Sequence, residues 1–150
     1  MAVLENRKND WYGRTEKELY ALPRLKIRLE NLLSLLAELY PNATRELVAV
    51  GGGGLSDSTQ TCVQRRQELE EEARAVRERI ARIEKSIETL LPEEKELLTL
   101  IYHPGQYWFV TCRQLGLSKS AYYRQKNAIV KKIAICLGFL PSDNLGKNRE

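Results

Sequence analysis

One apolar seam on an otherwise charged rod constrains this chain more than any other feature. Leu69, Ala73, Val76, Ile80, Ile83, Ile87 and Leu90 recur at alternating spacings of 4 and 3, with Cys62 on the same line upstream. That is a heptad pattern. The positions between are almost all Glu, Arg, Gln or Lys. The pattern predicts a helix from Thr59 to Leu91, roughly 50 Å long at about 1.5 Å per residue. A seam of this kind cannot be left in water and requires a partner helix.

Two partners fit. Leu22, Leu25, Leu29, Leu32, Leu36 and Leu39 form a second seam upstream, again spaced 3 and 4. It would fold back on the first as an antiparallel hairpin. Alternatively, the same helix of another subunit would supply the contact, giving a homo-oligomer. Thr15-Glu16-Lys17-Glu18 reads as a capping box that starts the upstream helix, leaving residues 1–14 irregular. Pro23 is expected to kink that helix or to begin a second one. Pro41, followed by Asn42, is expected to end it.

Residues 41–58 read as the linker, because the run Gly51-Gly52-Gly53-Gly54 is costly inside a helix, at about 1 kcal/mol per Gly. These glycines do not make a phosphate loop. Leu55-Ser56-Asp57 follows them, where a Walker motif places Lys and a hydroxyl. One of Ser56, Asp57, Ser58 and Thr59 is expected to cap the next helix.

Charge separates the remaining third from the rest. Residues 64–92 carry seven basic and seven acidic side chains, the composition of a solvated, salt-bridged rod. From Leu97 to Leu140 there are six Lys or Arg and no acid. A net charge of +4 is therefore concentrated in one segment, which points to a polyanionic partner. Cys62, Cys112 and Cys136 are widely spaced, with a single His. They suggest mostly buried, reduced thiols rather than a disulfide framework or a metal site. No apolar run approaches the ~20 residues of a membrane span, and the polar residues from position 5 onward do not read as a signal peptide.

Leu91-Pro92-Glu93-Glu94-Lys95-Glu96 opens a helix with Pro early and acids in the first turn. Leu97, Leu98, Ile101 and Tyr102 supply its apolar face, and His103-Pro104-Gly105 stops it. His103 reads as a surface cap residue, with no nucleophile or carboxylate pair placed to work with it. Trp108 to Leu115, the turn at Gly116-Leu117, and a helix capped by Ser118 follow the plan of a helix-turn-helix. Gly116 supplies the positive φ of the turn. On a helical wheel Tyr122, Ile129, Ile133 and Cys136 share a face that should be buried. Ser120, Arg124 and Asn127 point the other way, with Tyr123 on one flank. These four are the expected base-reading side chains. Arg113, Ser118, Lys119, Lys126, Lys131 and Lys132 are the expected phosphate contacts.

The string from Leu117 to Asn127, LSKSAYYRQKN, with the continuation Ile129 to Gly138, resembles the recognition helix of phage-encoded regulators of the RinA/ArpU type, whose C-terminal part is similar to region 4 of sigma factors. The resemblance is specific over about residues 116–138. It implies an activator of late phage or prophage genes, with Lys119, Ser120, Tyr123 and Arg124 as DNA-reading positions. The chain departs from the sigma-like pattern at Phe109-Val110-Thr111-Cys112, where Thr111 stands in place of a buried aliphatic.

The expected fold is all-α. A helical hairpin or coiled-coil arm over 15–91 carries the seam residues Leu29, Leu32, Leu36, Leu69, Val76, Ile80, Ile83 and Ile87. A helix-turn-helix domain over 92–140 and a flexible tail over 141–150 follow. The expected function is sequence-specific binding of double-stranded DNA in transcription regulation, without enzymatic activity, cofactor or metal. The expected location is the bacterial cytoplasm, at the nucleoid, with RNA polymerase as a further candidate partner. Two alternatives stay open: the small subunit of a phage DNA-packaging machine, and a coiled-coil adaptor whose basic end binds an acidic protein.

Overall fold

A computed structural model describes residues 10–49 and 57–142. Among them the chain is all-α, with α1 over Asp10–Ala49, α2 over Asp57–Glu88, α3 over Pro92–Ile101, α4 over Trp108–Leu115 and α5 over Lys119–Cys136. Residues 1–9, the Gly51–Gly54 run, the candidate cap Ser56 and the tail from 143 lie outside the described residues. Two compact units divide the chain, one of Pro23–Ala81 and one that joins residues 1–22 to 82–150.

In the first unit the two seams bury each other within a single chain. Leu25, Leu32, Leu69, Ala73, Val76 and Ile80 are all buried, and Leu29 and Leu36 are half-buried. Arg28 pairs with Glu72 across the two helices. With only seven residues between Ala49 and Asp57, too few to span the length of parallel helices, that contact requires an antiparallel hairpin. The charged residues between the seam positions stay outside and pair locally, as in Arg66–Glu70 at 3.0 Å and Arg65–Glu68 at 3.9 Å. This unit spans Pro23–Ala81.

Several boundaries differ from the sequence reading. α1 begins at Asp10 and not at Thr15, so residues 10–14 are helical rather than irregular. Thr15 is a fully buried interior position whose hydroxyl donates to the Trp11 carbonyl at 2.6 Å. A hydroxyl satisfied inside its own helix is not available as a cap. The helix also runs through Pro23 and Pro41 to Ala49. A proline inside a helix costs about 3 kcal/mol through a lost hydrogen bond and a clash. Burial of Leu19, Leu25 and Leu32 on either side of Pro23 offsets it, and the Pro23 ring itself is exposed. α2 starts at Asp57 and ends at Glu88, three residues before the expected end. There the Thr89 hydroxyl donates to Ser86 O at 2.7 Å and closes the last turn.

The second unit gathers α3, α4 and α5 into a three-helix packing, each pair in contact. α3 follows the expected plan, with Leu91 as N-cap, Pro92 in the first turn and Glu94 accepting from the Leu91 N–H at 3.0 Å. Its buried side chains are Leu97, Leu98 and Ile101. His103 is exposed beyond its end. The same unit contains Ile83 and Leu90, both buried, with Ile87 half-buried. Residues 10–22 of α1 belong to it as well. Arg14 lies 4.2 Å over the Phe139 ring, and Tyr20 packs edge-on to Tyr102 at 4.8 Å.

Candidate nucleic-acid interface

Local chemistry sets the turn between α4 and α5. Gly116 has φ of 65°, the left-handed region that a side chain disfavours. The Leu117 N–H then donates to Cys112 O at 2.9 Å, closing α4 with a back-bond of the Schellman type. Ser118 caps α5, its Oγ accepting from the Ala121 N–H at 3.1 Å. Cys112 is buried, which lets the turn lie close to α4. Thr111, at the expected aliphatic position, is also fully buried. Its hydroxyl accepts from Gln106 Nε2 at 3.3 Å, which gives this buried polar group a partner.

α5 has one buried side and one open side. Tyr122, Ile129, Val130, Ile133 and Ala134 face the core. Cys136 does not join them and is exposed. It ends the helix at the wall of a cavity of about 350 Å³, lined also by Arg82, Lys85, Ser86, Thr89 and Leu137, with its Sγ 3.6 Å from Thr89 Oγ1. Cys62 is half-buried, so only Cys112 matches the expectation of a buried thiol. On the open side of α5, Ser120, Tyr123, Arg124 and Asn127 are all exposed, as the wheel requires.

The six cations of the acid-free segment do not share one fate. Arg113, Lys119 and Arg124 are exposed, Lys131 is half-buried, and none has an acidic partner among the described residues. Lys119 instead lies 5.0 Å over the Trp108 ring. Lys126 turns inward, 3.2 Å from Glu16 of α1 and 5.9 Å from the Tyr102 ring centroid. Lys132 bonds both carboxylate oxygens of Glu94, at 2.8 and 3.0 Å. Lys126 and Lys132, two of the expected phosphate contacts, each face a carboxylate remote in sequence.

The electrostatics follow this division. Burial works against the Lys126 ammonium, but the hydrogen bond and charge of Glu16 outweigh it and hold its pKa above the ordinary lysine value. Burial likewise works against the Glu94 carboxylate. The Lys132 hydrogen bond, the Leu91 N–H and the Lys132 charge together hold it below the ordinary value. Tyr102, which donates to Glu16 at 3.0 Å, is pushed strongly up by burial and then by the carboxylate it serves. Tyr12 beside them is raised by burial too.

Glu16 and Tyr12 are absent from the expected site residues, because a capping box at Thr15–Glu18 leaves Tyr12 in an irregular segment and Glu16 at a helix end. Trp11, Thr15, Leu19 and Leu22 recur at spacings of 4, 4 and 3. Extending the helical period upstream of Thr15 would have exposed them. Tyr107, Trp108 and Phe109 are all exposed at the start of α4. Among the described residues no group of His, Cys, Asp and Glu is arranged to hold a metal ion. No helix there is long and apolar enough to cross a membrane. Neither a family model, nor a curated protein, nor a solved structure matches this chain.

Proposed function

We propose that the chain is a non-enzymatic transcription regulator that binds double-stranded DNA through a helix-turn-helix formed by α4 and α5. The observation that carries this is the open side of α5. Ser120, Tyr123, Arg124 and Asn127 line it behind a capped N-terminus, no acid occurs in α4 or α5, and the opposite side is buried. In this motif the N-terminal turns of the second helix meet base edges in the major groove. Arg124 would fork onto the O6 and N7 of a guanine. Arg113, Ser118, Lys119 and Lys131 would hold the backbone. Lys126 and Lys132 would hold the reading helix in place through Glu16 and Glu94.

The proposal keeps its phage or prophage setting from the resemblance over residues 116–138, and with it the bacterial cytoplasm and a contact with RNA polymerase. It also keeps a homo-oligomer, which would multiply weak half-site affinities by effective concentration. Ile27, Leu33 and Leu35, which stay exposed on α1 while the heptad seams are buried, would supply that contact.

The test is fluorescence anisotropy with duplexes from upstream of neighbouring operons, across a salt series, for wild type and Arg124→Ala. The proposal expects one preferred duplex, with the preference erased by the substitution at a loss of about 1–3 kcal/mol. Equal binding of all duplexes with no effect of Arg124 would sink base reading and favour the packaging or adaptor readings.

A further inference from the structure

The start of α4 presents aromatic surface that packing does not use. Tyr107 is 65% exposed and Phe109 49% exposed, the former higher than any other large apolar side chain described. The two rings stack on each other, with centroids 5.4 Å apart and planes within 7°. Trp108 stands edge-on to Phe109 at 5.9 Å and lies 6.4 Å from Tyr123 on the open side of α5. The aromatic surface is therefore continuous with the proposed reading face. Exposed apolar patches of this kind mark binding surfaces.

Charge and ring geometry say what would cover it. Lys119 sits over Trp108, Arg113 lies on the same short helix, and residues 97–140 contain no acid. The partner must be anionic and must offer flat π-faces to extend a parallel ring stack. A nucleic acid meets both requirements. Paired bases inside a duplex have their faces occupied by their neighbours, so only unpaired bases can join the stack. We infer that Tyr107 and Phe109 form a stacking platform for unpaired nucleobases flanking the duplex held by α5, with Lys119 and Arg113 on the adjoining phosphates. This inference rests on the duplex-binding proposal and names a second element of its target, a junction between duplex and single strand.

The experiment compares a blunt duplex of the preferred sequence with the same duplex carrying a short single-stranded extension. Binding is read by anisotropy, and Trp108 fluorescence is followed in parallel in a Trp11→Phe background. Wild type should bind the extended duplex about tenfold more tightly, with quenching of tryptophan emission. Tyr107→Ala/Phe109→Ala should abolish that gain and leave blunt-duplex binding unchanged. Tyr107→Leu/Phe109→Leu, which keeps apolar area but removes the flat rings, should lose it as well. Equal binding of the two DNAs by wild type, or a gain that survives in the alanine variant, overturns the inference. So does a variant that changes only the sedimentation of the free protein, since the patch would then serve self-association. Failure of the duplex proposal looks different, because wild type and Arg124→Ala would then treat every blunt duplex alike.

Discussion

The hairpin of Pro23–Ala81 and the unit that holds α3, α4 and α5 are made of similar helices but use charge in opposite ways. In the hairpin most ion pairs are exposed and lie one turn apart, as in Arg66–Glu70, Arg65–Glu68 and Arg74–Glu71. Such pairs contribute a few tenths of a kcal/mol each, and the apolar seam decides the fold. In the second unit Lys126 meets Glu16, and Lys132 meets Glu94, across different helices and with at least one partner largely buried. These pairs separate the cations that face a carboxylate from those that do not. A balanced rod can be read as scaffold from composition alone. A basic segment cannot be read as an interface until its long-range partners are known.

The largest test of this contrast compares the two cores. Ile133→Ala removes a fully buried side chain among three helices, and Leu69→Ala removes one from a two-helix seam. Both should cost about 2–5 kcal/mol, with Ile133 at the upper end because fewer of its neighbours can relax into the space. Chemical denaturation followed by circular dichroism checks the order. A larger loss at Leu69 would mean that the hairpin, not the helical unit, carries the stability.

Next in size is the Glu16–Lys126 contact, whose side chains are only 24% and 16% exposed. Glu16→Gln leaves a half-buried ammonium without its carboxylate and should destabilise by about 1–3 kcal/mol. Adding Lys126→Met should recover part of that loss in a double-mutant cycle. Additive effects would mean that the pair is not coupled. If Lys126 is freed by Glu16→Gln, the salt dependence of DNA binding should steepen by about one phosphate contact.

The smallest effect is in acid. Glu94 has a folded pKa below its ordinary value, so its contribution is complete above that ordinary value. It is lost as pH falls through the depressed one. Wild type should lose stability over that window relative to Glu94→Gln, whose curve lacks this component. Because Lys132 is 43% exposed, screening should shrink the difference in high salt. Parallel curves for the two proteins would remove the Lys132–Glu94 pair from the account of which cations are tethered.

What could be read from sequence alone was local. The seams at Leu25 to Leu36 and Leu69 to Ile83, the Gly116 turn, the Ser118 cap and the open side of α5 each depend on residues within a few turns of one another. Periodicity and capping are rules at that range. Only the tertiary structure decided that α1 begins at Asp10 and carries through Pro23 and Pro41, that Cys136 lies at a cavity wall, and that two of six cations face carboxylates. A proline's cost, a cysteine's burial and a lysine's charge all depend on side chains brought from elsewhere in the chain. Sequence spacing carries no record of which distant side chains these are.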